Sequence, residues 1–346
     1  MKLRIFSLVL VLLMLLTLCA CQNGSGNAAV TTNPTPDQGD PSPVKVNVYS
    51  LNGTTGFGMA KLMNDAKSNA FPNIDYQFTV KSDASDVTAA LINGEADIAA
   101  LPTNAASNVY NATKGEVVIL AVNTRGCLYL LTNGNASVSS FADLRGKTVY
   151  VPAQNPTFIF TYLCQQNGLE VGKDIIIDST SYAAAANLKD AVAAGKVDIA
   201  VLPEPMVTIA TNAAKQNNVT ITNAMDLTAE WDKVTTPGSL VQGCIVARKA
   251  FVQNYPETVS AFLTAYEASI NYLSTNVEEA AQMIVDNGIF NSAPVAKNAI
   301  PKCNVCYLDG AEMKAAMEVY LNILYNIKAA SVGGKLPAAD FYYNAQ

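Results

Sequence analysis

Two stretches of this chain repeat each other. Ala90-Leu-Ile-Asn-Gly94-Glu-Ala-Asp97-Ile-Ala-Ala-Leu-Pro102 returns as Ala191-Val-Ala-Ala-Gly195-Lys-Val-Asp198-Ile-Ala-Val-Leu-Pro203, with seven of thirteen positions identical at a spacing of 101 residues. The same spacing relates Val48-Tyr49 to Val149-Tyr150 and Phe57 to Phe158. A register shared by three separate segments is the mark of a duplicated structural unit. Two such units in one chain leave a cleft between them, and a cleft is a place to hold a small molecule.

Each unit reads as alternating strands and helices. Val44–Leu51 alternates apolar and polar residues as a strand does, and Phe57, Ala60 and Met63 then recur at helical spacing. Residues 85–93 read as a helix closed by Gly94, and 96–101 as a strand stopped by Pro102. The second unit repeats the order: strand 148–151, helix 158–166, helix 184–194 stopped by Gly195, and strand 197–202. That alternation predicts an α/β protein with parallel sheets covered by helices. Val117–Ala121 and Cys127–Leu131 read as strands joined through Asn123-Thr124-Arg125-Gly126, and 243–248 as another strand. These two places are the expected crossings between two lobes. The last third is helical, with one apolar stripe through Val259, Phe262, Leu263, Tyr266, Ile270 and Leu273. A second runs through Met313, Ala316, Met317, Tyr320 and Leu324, and Asp309 with Glu312 fits a capping box ahead of it.

The first twenty residues read as a secretory signal: Lys2 and Arg4, then an apolar run from Ile5 to Leu18 too short to span a bilayer. It ends in Leu18-Cys19-Ala20-Cys21, which resembles a bacterial lipobox and makes Cys21 the expected lipidation site. Residues 21–43 are polar and rich in Asn, Gly, Ser, Thr and Pro, and are expected to form a flexible stalk. The remaining chain is long enough for two lobes with their own cores, expected at 44–126 plus 245–346 and at 127–244. Loss of the signal moves the formal charge from −6 to −8, and an acidic chain without runs of Lys or Arg argues against nucleic acid as a partner. With Cys21 lipidated, five scattered cysteines remain, which suggests mostly buried thiols.

The chain has no histidine. That removes the commonest general base and metal ligand, every Ser–His or Cys–His pair, and every His-containing zinc site. No phosphate loop and no Gly-x-Gly-x-x-Gly fingerprint is present. Cys303-x-x-Cys306 lacks the further ligands that a zinc site needs, and reads as a disulfide or as two thiols. No metal and no cofactor is expected.

The positive signal lies in polar loops that follow strands and open helices, where ligands sit in open α/β sheets. Asn52, Gly53, Thr54 and Thr55 form one; Thr103 and Asn104 a second; Gln154, Asn155 and Thr157 a third; Glu204, between two prolines, a fourth. Asn and Thr at such positions also serve as ordinary helix caps, but equivalent loops recur in both units. Glu204 would hold an amine or amidine donor, or else pair with a nearby Lys or Arg. Arg125 would favour a carboxylate, sulfonate or phosphate, so the charge of the ligand stays open.

The lipobox, the stalk, Asn93-Gly-Glu-Ala-Asp-Ile-Ala99, Asp143-Leu-Arg-Gly-Lys-Thr-Val-Tyr-Val-Pro152 and Leu202-Pro-Glu-Pro205 together resemble the extracytoplasmic solute-binding proteins of ABC importers. The nearest group is the one for nitrate, sulfonates, taurine and thiamine precursors. The resemblance covers residues 44–330. It implies a type II periplasmic-binding-protein fold with two α/β lobes, two hinge crossings and a C-terminal helical segment. It also implies a monomer, lipid-anchored on the outer face of the cell membrane, that closes on a small polar solute and delivers it to a membrane permease driven by an ATPase. By position, 52–55, 103–104, 154–157 and 204 would line the cleft. Two rival readings are an enzyme of thiamine- or menaquinone-precursor metabolism on the same fold, and a surface lipoprotein without a transport role.

Overall fold

The structure, a computed structural model, describes residues 42–344 except Asn135. The expected signal segment, Cys21 and nearly all of the stalk lie outside the described residues. From Ser42 onward the chain forms one compact unit. It opens with β1 (Val44–Leu51), α1 (Thr54–Phe57), α2 (Ala60–Lys67), β2 (Ile74–Lys81), α3 (Ala84–Ile92), β3 (Ile98–Pro102), α4 (Thr103–Ala112) and β4 (Val117–Arg125). The next stretch is β5 (Leu128–Asn133), β6 (Thr148–Tyr150), α5 (Asn155–Gln166), β7 (Ile176–Asp178), α6 (Ala185–Ala193), β8 (Ile199–Pro203), α7 (Met206–Gln216), β9 (Ile221–Asp226) and α8 (Leu227–Val234). It ends with β10 (Val241–Arg248), α9 (Lys249–Asn254), α10 (Pro256–Thr275), α11 (Val277–Asp286), α12 (Ala293–Ala299), β11 (Val305–Leu308) and α13 (Gly310–Ile327).

The strands make two mixed sheets, and these form two lobes. One has the order β11-β4-β10-β3-β1-β2 and the other β7-β6-β8-β5-β9. Aligned on the repeat, β2-β1-β3-β10-β4 matches β7-β6-β8-β5-β9 place for place. In each sheet the strand entering from a crossing runs antiparallel: β10 beside β3, β5 beside β8.

The repeated Gly-x-x-Asp is what seats that strand. Gly94 and Gly195 hold φ values of +78° and +65°, a region cheap only for glycine, and so turn each helix back into its strand. The Asp97 carbonyl then accepts from the Arg248 N–H, and the Asp198 carbonyl from the Asn133 N–H, each at 3.0 Å. Asp97 adds its carboxylate, which takes the Asn47 N–H at 2.8 Å and pairs with the Arg248 guanidinium.

The crossings are shorter than the sequence suggests. Asn123, Thr124 and Arg125, expected in a connecting loop, are the end of β4, because β10 and β11 pair with them on either side. Only Gly126 and Cys127 remain between β4 and β5. The expected lobe boundary after residue 244 falls inside β10, which lies wholly in the first sheet. The capping box at Asp309 does not form: α13 has no side-chain cap, and the Asp309 carboxylate accepts instead from the Tyr307 hydroxyl.

The core follows from these layers. One face of the first sheet packs on α2, α10 and α11 through Val46, Val48, Phe262, Tyr266 and Ile284. One face of the second packs on α6 and α7 through Leu188, Val192, Val207 and Ala210. The remaining faces share a continuous apolar cluster, joined by Met313, Met317, Tyr320 and Leu324 of α13. The stripe read from the sequence is therefore core, but core that belongs to both lobes. The Tyr320 ring packs at a tilt against Trp231 on α8, with centroids 5.8 Å apart, so α13 straps the lobes together behind the crossings. Among the described residues no helix is long and apolar enough to cross a membrane.

Candidate functional site

The carboxyl ends of β1, β3, β6 and β8 carry the four loops singled out in the sequence. Two of them touch directly. The Thr54 hydroxyl, at the start of α1, donates to the Glu204 backbone carbonyl at 2.8 Å, joining the first sheet's side to the second's. The Tyr129 hydroxyl of β5 makes a second such link to the Lys302 carbonyl at 3.0 Å. A third joins α13 to α5, where the Tyr320 hydroxyl donates to Asn155 Oδ1 at 2.9 Å.

Glu204 is buried, 1% exposed, and its carboxylate accepts from the Thr208 hydroxyl at 3.0 Å and the Thr208 N–H at 3.1 Å. Lys302 Nζ lies 3.9 Å away from the opposite lobe. Burial raises the carboxyl above its ordinary range, while Thr208 and then Lys302 act the other way. Around it stand two thiols. Cys303 Sγ is 3.8 Å from Thr54 Oγ1, and the Cys127 carbonyl accepts from the Glu204 N–H at 2.9 Å. Burial first, and the Glu204 charge second, push the Cys127 thiol up to about 12, and burial raises Cys303 well above its usual range. Such thiols are protonated and poor nucleophiles. All five described cysteines are free, so Cys303 and Cys306 form no disulfide.

Most of the other expected site residues already have protein partners. Thr55 offers its carbonyl to Asn123 Nδ2 at 3.0 Å, and Asn123 also donates to the buried Tyr266 hydroxyl. Thr103 donates to the Val241 carbonyl at 2.7 Å. Asn104 Nδ2 donates to the Ser331 carbonyl at 3.3 Å, and its buried Oδ1 has no partner. Thr157 closes its own loop on the Pro152 carbonyl at 2.8 Å. Gln154 is exposed at φ +68°, with its carbonyl accepting from Phe158 N–H. Arg125 is engaged away from these loops: its guanidinium donates to the Gly238 carbonyl at 2.7 Å and pairs with Glu312 at 3.3 Å. It thereby ties the first crossing to the second and to α13.

Open volume lies beside the Thr54–Glu204 contact. A cavity of about 890 Å³ is bounded by Asn52 and the turn after α11 on one side and by α6 and α7 on the other. Gly53, at φ +83°, donates its N–H to the Ile289 carbonyl at 3.0 Å and so fixes that turn against the β1 loop. Sequence reasoning missed this wall because Gly288, Ile289 and Phe290 carry no polar signal. It missed Cys127, Tyr129 and Lys302 because their partners are distant in sequence. Among the described residues no group of three or more acidic or cysteine side chains is placed to hold a metal.

Solved structures share this architecture. An ABC transporter protein from Parabacteroides distasonis is 24% identical, with a TM-score of 0.73 over 88% of this chain and 100% of that one. The periplasmic aliphatic sulphonate binding protein SsuA from Escherichia coli is 16% identical, with a TM-score of 0.69 over 87% and 96%. The periplasmic nitrate-binding protein NrtA from Synechocystis PCC 6803 is also 16% identical, at 0.56 over 86% and 83%. No curated protein matches the sequence. The fold is the type II periplasmic-binding-protein fold expected from the sequence. The NMT1/THI5-like family pattern matches residues 72–280, from just before β2 through the whole second lobe and both crossings into α11. By that match, which takes in the Glu204 loop and both copies of the repeat, the chain belongs to the NMT1/THI5-like family.

Proposed function

We propose that this protein is the solute-binding component of an ABC importer, which captures a small molecule between its lobes by hinge closure. The observation that carries this reading is the pairing of two short crossings with a cavity walled by both lobes. A ligand that touches both walls stabilises the closed form by its differential affinity, and nothing else is needed to drive closure. The site residues we assign are those of the loops that follow β1, β3, β6 and β8: Asn52, which also lines the cavity, with Gly53, Thr54, Thr55, Thr103, Asn104, Gln154, Asn155, Thr157 and Glu204. Arg125 we assign to the hinge. A binding role agrees with thiols held protonated and a buried carboxyl already satisfied by Thr208.

The neighbours support the transport setting, since two of them are periplasmic binding proteins, one for aliphatic sulphonates and one for nitrate. In this reading Cys21 carries the lipid anchor, residues 21–43 are the tether on the outer membrane face, and the closed lobes dock on a permease served by an ATPase. A melting-temperature screen against nitrate, sulfonates, pyrimidines, amines and small carboxylates tests it. A true solute at 100 times its dissociation constant stabilises the fold by roughly 2.7 kcal/mol. A screen in which no class moves the melting temperature removes the importer reading.

A further inference from the structure

The interlobe cavity is walled mainly by carbon. Met206 and Ile209 line it from α7, and Val285, Phe290 and Val295 from the opposite lobe, with the buried Ile289 behind the turn. Phe290 is held edge-on to the buried Phe57, with ring centroids 6.0 Å apart, so this wall is anchored in the core. Gly288, at φ +69°, has nothing near the place of a Cβ and lets the turn reverse. Of the described side chains lining the cavity only Lys189 is charged, and it already contacts its neighbour Asp190. By contrast, Thr54, Thr103, Asn155, Thr157 and Glu204 spend their hydrogen bonds inside the protein.

We propose that the solute is organic and carries an apolar body, and that this body is received between α7 and the Ile289–Phe290 turn. The inference rests on the solute-binding reading and adds the substrate class. Asn52, Lys189, Asn291 and Ser292 give the cavity polar points of contact, but an inorganic oxyanion or a wholly polar solute would leave the apolar side chains of both walls wet on closure. An apolar body is buried by both lobes at once, which is the differential contact that closure requires. Met206 and Ile209 then act as specificity determinants, because they meet the solute only when the second lobe swings in.

Titration calorimetry of the full chain against linear alkanesulfonates, carboxylates and alkylammonium ions, one to six carbons long, tests this. In one series the affinity should rise about fourfold per methylene, with a negative heat-capacity change that grows with length. Met206→Ser and Ile209→Ser, both at half-buried positions, should flatten that rise in proteins that still melt cooperatively when free. A rise that persists undiminished in both variants overturns the placement. A wild-type protein that binds a solute with no dependence on apolar length overturns the substrate class and leaves the importer reading standing. Failure of every homologue and of every class in the melting screen sinks both.

Discussion

Thr54 Oγ1 and the Glu204 carbonyl oxygen meet at 2.8 Å across the line that divides the two sheets, and Thr54 is itself buried. The bond joins the loop after β1 to the loop after β8, the second sheet's equivalent of the loop after β3, and so links the two lobes beside the first crossing. Thr54→Val keeps the shape and removes the donor. A hydrogen bond of this kind contributes about 1 kcal/mol net. The variant is therefore expected to bind its solute roughly fivefold more weakly and to raise the radius of gyration of the free protein in small-angle scattering. Unchanged scattering together with unchanged affinity would show that the contact has no part in closure.

Arg125 is predicted to matter to the hinge and little to the solute. Its partner Glu312 is largely exposed, so the ion pair contributes at most about 1 kcal/mol. Arg125→Lys is expected to change solute affinity less than threefold. Gly238→Ala is harsher, because Gly238 sits at φ +76° and an added Cβ would lie 2.1 Å from Arg125 Nη1. It should cost more than about 1 kcal/mol in chemical denaturation. A tenfold loss of affinity in a stably folded Arg125→Lys protein would return Arg125 to the binding site.

The pH dependence separates two kinds of carboxyl. Burial gives Glu204 a folded-state pKa above its ordinary range, so the folded protein holds that proton more tightly than the unfolded chain does. Its contribution to stability is full below the unfolded pKa and is lost as pH rises through the raised value. Glu204→Gln keeps one acceptor for the Thr208 N–H, lets the Thr208 hydroxyl turn to accept from the amide NH2, and removes this term. The variant should melt at or above the wild-type temperature near neutral pH, and the difference should shrink on mild acidification. Asp178 runs the other way: hydrogen bonds from Ser181 and Thr180 lower it from 3.8 to about 2. Its contribution is present above the ordinary value and is lost as pH falls toward about 2. Asp178→Asn should thus weaken the acid dependence of unfolding in that window; an unaltered acid limb would contradict the assignment.

The duplicated glycines give a matched pair. Gly94→Ala and Gly195→Ala both force alanine into positive φ, at about 1 kcal/mol each. At Gly195 the new Cβ would also press on Val219 Cγ2 at 3.1 Å, whereas at Gly94 the nearest atom is 3.9 Å away. Denaturant titration should find both variants destabilised and Gly195→Ala the more so. Equal losses would mean that Val219 gives way without cost, and negligible losses would contradict the need for glycine at either turn.

How far the sequence reads depends on the range of the interaction. The repeat, its glycine stops and the strands before Pro102 and Pro203 are written in local patterns, and the fold follows from them. Arg125 is misread because β10 and β11, far along the chain, draw Asn123–Arg125 into β4. Asp309 is misread because a nearby Tyr307 hydroxyl takes the carboxylate that would have capped α13. Tyr320 sits on an apolar stripe, and only tertiary packing turns its hydroxyl toward Asn155. The apolar wall of the cavity is invisible for the same reason: nothing local to Met206 or Phe290 signals that the fold brings them to one cavity.

Spin labels at Ser82 and Ser181, exposed positions just beyond the ends of the edge strands β2 and β7, sit on opposite lobes. With Cys306 replaced by serine, the remaining described cysteines are buried and spared from labelling. Pulsed electron resonance on this pair, with and without the solute that most raises the melting temperature, reads lobe closure directly. The account predicts a broad distance distribution that shortens and narrows when the solute is added. A distribution unmoved at saturation would mean that the solute does not bring the lobes together.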